Sequence, residues 1–194
     1  MVPGLGNRRS MRFCLLLGLW VAVSSSVITR AEAPTSTKHQ MQAAFLFNFA
    51  NFVTWPEETS AGGSHPFTIG VLGEDPFAAV LEEIIHDKTV MDKKLAVKRF
   101  GRIQDAVNSH ILFLSASQDN HLPHILKVLE STSILTVSDM EQFAERGGMI
   151  AFTMEDQKVR FNINVEAAER AGLKIGSQLL KLARIVGDKT RTED

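Results

Sequence analysis

The sequence predicts an α/β domain: a three-layer sandwich with a mostly parallel sheet and a C-terminal antiparallel hairpin. Three observations point there. From residue 67 onward, short apolar runs of strand length alternate with amphipathic helical stretches. That order builds right-handed crossovers and a sheet covered on both faces. Most alternations carry a cap or turn residue, as at Asp75-Pro76 and Gly147-Gly148. Near the C-terminus, two strand-like runs are joined by Glu155-Asp156-Gln157, which reads as a hairpin.

The domain is preceded by residues 1–33, which read as a secretory signal peptide. Arg8, Arg9 and Arg12 form a basic start, residues 13–23 (FCLLLGLWVAV) an unbroken apolar run, and Ser24, Ser25 and Ser26 end it. The run is about half the length a membrane-crossing helix needs. An uncleaved anchor is the competing reading. Cleavage falls within residues 24–33: Ala31-Glu32-Ala33 has the small-x-small form, but Pro34 after it fits a peptidase cleft poorly. Cutting after Ala31 or within 24–26 is equally compatible. Ser10-Met11-Arg12 after Arg8-Arg9 matches a twin-arginine signal badly.

Export sets the chemistry available to the mature domain. Cys14 is the only cysteine and leaves with the signal, so the mature domain can form no disulfide and relies on its core. Without residues 1–33 the chain keeps 17 basic against 21 acidic residues, a net charge of −4. That balance argues against a nucleic-acid binder. No later segment is long and apolar enough to span a bilayer. The expected layout is a domain over 34–187, with a flexible loop at 59–64 and a flexible tail at 188–194.

Residues 38–55 predict a helix whose stripe is Met41, Phe45, Phe49, Phe52 and Val53, with Gln42, Asn48 and Asn51 on the polar side. Trp55-Pro56 stops it. Residues 67–72 form a strand, and Asp75 caps a helix that starts at Pro76 and carries Phe77, Val80, Leu81, Ile84 and Ile85. Further strands are expected at 95–100, 111–114 and 134–137, with helices at 103–107 and along Leu122, Ile125, Leu126 and Leu129. Ser138-Asp139 should cap a further helix ending at Gly147-Gly148. In the hairpin, Val159, Phe161 and Ile163 alternate with Arg160, Asn162 and Asn164, which suggests an edge strand with one polar face. Two helices broken at Gly172 close the chain, the last with Ile175, Leu179, Leu182, Ala183 and Val186 on one face.

Catalytic and cofactor motifs are scarce. His121 and His124 lie three apart, but a metal site needs a third ligand, and His110 and His65 sit at element ends. Gly70-Val71-Leu72-Gly73 is followed by no GxGxxG, no phosphate-loop lysine is present, and no GxSxG supports Ser115 or Ser117 as a nucleophile. Tyrosine is absent. The acidic pairs sit on helix faces, turns and loops. The sequence therefore points away from an enzyme and names no metal and no cofactor. Open α/β sheets bind ligands beyond the carboxyl ends of their strands, where Asp75, Ser115, Ser138 and Asp139 fall. Helix capping by Asp75 and Asp139 is the simpler reading of those two. Arg160, Asn162 and Asn164 are the candidate partner-binding row.

Taken together, the segments resemble the YfiR-like family of bacterial periplasmic proteins. The match is carried by QAAFLFNFANFVTWP at 42–56, IGVLGEDPF at 69–77, LTVSD at 135–139 with GGMI at 147–150, and VRFNIN at 159–164. It continues through RAGLK at 170–174 to QLLKLA at 178–183. The resemblance implies a periplasmic α/β domain, often a homodimer, that binds a membrane signalling protein. The family's best-known member represses an inner-membrane diguanylate cyclase through its periplasmic sensory region, lowering cyclic di-GMP and restraining biofilm formation. That member's redox-linked cysteine pairs have no counterpart here. A periplasmic small-solute-binding protein is the alternative.

Overall fold

The computed structural model describes residues 34–56 and 65–187. The signal peptide, the 59–64 loop and the 188–194 tail read from the sequence lie outside them. Helix α1 spans Pro34–Phe52. Its buried face is Gln42, Ala43, Leu46, Phe49 and Ala50, while Met41 and Phe52 are 37% and 38% exposed. The stripe is thus rotated from the one the aromatic residues suggest. Small Ala43 and Ala50 let the helix backbone approach its neighbours, and Phe45 reaches sideways, its ring 5.3 Å from that of Phe161.

The helix ends before Trp55. Strand β1 (Val53–Thr54) leaves it and pairs antiparallel with β9 (Lys174–Ile175). Trp55 is buried; its Nε1 donates to the His110 carbonyl at 3.3 Å and its ring meets Phe67 edge-on at 5.2 Å.

Strand β2 (Phe67–Leu72) coincides with its predicted run, as does β5 (Ile111–Leu114). Both are buried throughout, as central strands covered on two faces should be. Between them lie α2 (Phe77–Ile85), β3 (Thr89–Val90), β4 (Lys93–Phe100) and the short α3 (Ile103–Ala106). A 3-10 turn (Ala116–His121) leads into α4 (Leu122–Leu129), then β6 (Leu135–Ser138), β7 (Ile150–Glu155) and β8 (Lys158–Asn164). Helix α5 (Val165–Arg170), a one-turn α6 (Ser177–Leu180) and β10 (Arg184–Val186) complete the described chain.

Among the described residues the main sheet has eight strands in the order β10-β8-β7-β6-β5-β2-β4-β3. Pairing is parallel except at β7–β8 and β3–β4. One face packs on α1 and α2 through Phe49, Phe77, Ile69, Phe113, Val137 and Ile163. The other packs on α3 and α4 through Leu112, Leu114, Ile103, Leu122, Ile125 and Phe143. This is the predicted three-layer sandwich. The β7–β8 hairpin turns at Asp156 and Gln157, with φ of 48° and 61°. Two left-handed residues match the twist of the flanking strands.

Three further expectations change. No helix follows Ser138-Asp139: residues 141–147 form successive turns, with Gln142 at φ 53°. Phe143 instead tucks fully into the core beneath Gly148, where a Cβ would collide with its ring. The final helix shrinks to one turn. Ile175 belongs to β9 and Val186 to β10, and Leu182 and Ile185 are 66% and 53% exposed, so the supposed apolar stripe has no core to meet. β-Branched Ile185 and Val186 go where backbone partners are free, alongside β8. Strand β8 is therefore not an edge over Asn162–Asn164, and its second face is not solvent. Asn162 is 9% and Asn164 0% exposed.

Candidate functional site

The carboxyl ends of β2, β5 and β6 meet where the parallel strands give way to helices and turns. Three of the four residues the sequence places there are committed to holding the fold. Asp75 Oδ1 accepts from the Phe77 N–H at 2.8 Å and caps α2. Ser115 Oγ donates to the Glu74 carbonyl at 2.9 Å and accepts from Ser117 N and Oγ at 3.3 and 3.2 Å. Ser117 Oγ in turn accepts from the Glu74 N–H at 3.3 Å, so the ends of β2 and β5 are laced together. Ser138 Oγ donates to the Leu114 carbonyl at 2.7 Å and accepts from Met140 N at 3.1 Å.

Asp139 is different. Its Oδ2 pairs with Lys38 Nζ at 2.7 Å and takes a longer contact from Gln42 Nε2 at 3.5 Å. The pair sits at a cleft of about 280 Å³ walled by Met140, Phe152 and Val159. The Lys38 and Asp139 side chains are 33% and 16% exposed, so the ion pair is shielded without being sealed. Gln42 is fully buried and its Oε1 has no hydrogen-bond partner. Flipping the amide would set two acceptor oxygens against each other, so Oε1 is the atom left over. Thr153 Oγ1, on the same cleft, also lacks a partner. Buried polar atoms are ordinarily satisfied, so two solvent-inaccessible orphans beside one cleft are exceptions.

Lys38, Gln42 and Thr153 escape the sequence pattern. The available signal is the four-residue spacing of Lys38 and Gln42, which aligns them on one helix face. Gln42 also lies one turn before Leu46 and two before Phe49, on the buried stripe.

The row Arg160, Asn162 and Asn164 is divided by the fold. Arg160 is exposed. Asn164 Nδ2 donates to the Ala144 carbonyl at 2.8 Å, and its Oδ1 caps α5 by accepting from Ala167 N at 3.0 Å. His121 and His124 are both exposed. His110 Nδ1 accepts from Thr68 N at 3.1 Å, and its ring stacks on Phe67 at 4.3 Å. Among the described residues no three His, Cys, Asp or Glu side chains are grouped to hold a metal, and no helix is long and apolar enough to cross a membrane.

The fold is a three-layer α/β domain with a part-buried ion pair at a cleft where its opening helix meets the strand ends. The chain belongs to the YfiR/HmsC-like family, whose model matches residues 39–184. No curated protein matches it. Among solved structures, a conserved domain protein from Vibrio cholerae is similar with a TM-score of 0.53 at 11% identity, over 76% of this chain and 59% of that one. That likeness shows the fold alone. A domain from Streptococcus pneumoniae solved with L-Trp aligns with a TM-score of 0.44 at 12% identity, over 61% of this chain and 55% of that one. This chain thus spans less than two thirds of either.

Proposed function

We propose that this protein is an exported regulator that acts by binding. With residues 1–33 removed, the domain docks on the periplasmic sensory region of an inner-membrane signalling protein of the diguanylate cyclase type. The observation that carries this reading is the family match across 39–184. Occupancy is the mechanism: the bound regulator holds the cyclase inactive, cyclic di-GMP falls and biofilm formation is restrained. Such control requires tighter binding to the inactive partner than to the active one.

The outer face of α1 is the better docking surface. Met41 and Phe52 are exposed there and Phe45 beside them is half-buried, whereas the Arg160 row offers a partner little beyond Arg160. Exposed apolar side chains on one element suit a protein contact. The mature domain, immobilised, should retain the purified periplasmic region of a cyclase from the same cell. Met41→Glu with Phe52→Glu should weaken retention about tenfold or more, as loss of apolar anchors does. Failure to retain any periplasmic cyclase region would sink the proposal.

The unpartnered Gln42 Oε1 supports a second reading, a small solute held at the Lys38–Asp139 cleft. Gln42→Leu should then abolish the thermal stabilisation that a small polar solute confers on the native chain. It should also raise the stability of the bare domain by about 1 kcal/mol, because an unsatisfied buried amide oxygen is gone. Solute binding unchanged in that variant would rule this cleft out.

A further inference from the structure

Strand β4 is open along most of its outer edge. Strand β3 covers only its start, pairing Val90 with Lys93 and Thr89 with Lys94. Leu95 N then donates outward to the Lys88 carbonyl at 3.1 Å, while the Phe100 carbonyl accepts from Gly73 N on the inner side at 3.0 Å. Alternation along the strand therefore aims the N–H and carbonyl groups of Val97 and Arg99 outward. Among the described residues no strand or other backbone group meets them. We propose that this edge accepts, as an added strand, an extended segment of a partner protein in which apolar and acidic residues alternate.

In strand addition, unpaired backbone groups supply affinity and side-chain pockets beside the edge supply selectivity. A groove of about 330 Å³ lies beside the open stretch, between β4 and the end of α2. Ile85, Leu95 and Val97 are its apolar lining, and Leu95 and Val97 are half-buried. The carboxylates at the groove are engaged, Glu82 by Arg99 at 3.1 Å and Asp87 by His86 at 2.9 Å. Every second side chain of an added strand would lie on this face and meet Leu95 and Val97.

The intervening side chains would meet positive charge. Residues 93–104 contain five basic residues and no acidic one, although the mature chain is net negative. Lys98 is exposed on the opposite face of β4, the face that carries Phe100. Among the described residues it has no ion-pair partner.

Lysines on an edge strand ordinarily guard it against pairing with its own kind. That role argues against a second copy as the occupant, because β4 beside β4 would bring like charges together. It leaves the edge open to an acidic strand, whose carboxylates the same lysines attract. The edge works without Met41 or Phe52, the exposed side chains of α1.

The test uses protein purified from the periplasm of cells expressing the full chain. Its probes are a short capped peptide alternating valine with aspartate or glutamate, and a counterpart with lysine at the acidic positions. Hydrogen exchange followed by NMR should find the Val97 and Arg99 amides fast in the free protein and slowed about tenfold or more by saturating acidic peptide. Lys98→Glu should weaken the acidic peptide about tenfold at low salt and strengthen the lysine one. Val97→Pro removes one outward N–H where an edge strand tolerates proline, and should abolish binding of both. Lys98→Glu, on an exposed side chain, decides the matter if the proline variant does not fold. No binding of the acidic peptide at millimolar concentration overturns the proposal. So does equal affinity for the two peptides, or binding that leaves the Val97 and Arg99 amides fast. Protection that grows with protein concentration in the absence of peptide also overturns it, and assigns the edge to a second copy.

Discussion

Phe49→Ala is expected to destabilise the domain by about 3–5 kcal/mol, the range for truncating a buried aromatic side chain. Phe49 is fully buried on α1, stacked on Phe152 at 5.8 Å and edge-on to Phe161 at 5.3 Å. Phe152 and Phe161 face each other across the β7–β8 ladder. Removing the ring opens a cavity between the helix and the antiparallel end of the sheet, where the remaining rings are too rigid to close it. The loss is a large fraction of the roughly 5–15 kcal/mol that typical domains possess. Urea unfolding followed by circular dichroism should show a lower midpoint with little change in slope. A loss below about 1 kcal/mol would show that α1 is not seated on the hairpin through this ring.

Asn164→Ala carries the second large effect, an expected loss of about 2–4 kcal/mol in the same assay. Two separate costs add. The amide caps α5 at Ala167 N, and a lost cap costs about 1 kcal/mol. It also donates to the Ala144 carbonyl, which alanine would leave buried without this donor, at about 1–3 kcal/mol. Arg160→Ala, on the same strand but exposed, should stay within about 0.5 kcal/mol. Equal effects at the two positions would contradict the burial of Asn164. This contrast also separates the two ends of the row: stability at Asn164, and any partner contact at Arg160.

Much of the architecture is legible along the chain because burial on both faces demands unbroken apolar runs. FTIGVL and ILFL could be little else than central strands, and both match to the residue. Asp75-Pro76 carries its own local chemistry, a side-chain cap followed by a residue suited to a helix start. The misplaced elements have separate causes. Met41, Phe45 and Phe52 draw the apolar stripe of α1 to the wrong side because aromatic residues weigh heavily in any hydrophobic pattern. The helix instead turns its alanines inward, where close approach matters more than side-chain size. The final segment has helical periodicity yet supplies a strand, since the open flank of β8 offered backbone hydrogen bonds that a solvent-facing helix could not better.

The candidate site follows the same division. Asp139 is visible as a polar residue at a strand end, but Lys38 is 101 positions away and Gln42 looks like a solvent-facing residue. Only the crossing of α1 over the ends of β6 and β7 brings them together. Alternation of strands and helices, the lack of cysteine beyond Cys14 and the hairpin near the C-terminus were determined by the sequence alone, through local periodicity and composition. Which polar groups are buried, which are spent on caps and which are left unpartnered was decided by tertiary structure. A hydrogen bond between distant segments leaves no periodic trace in either of them.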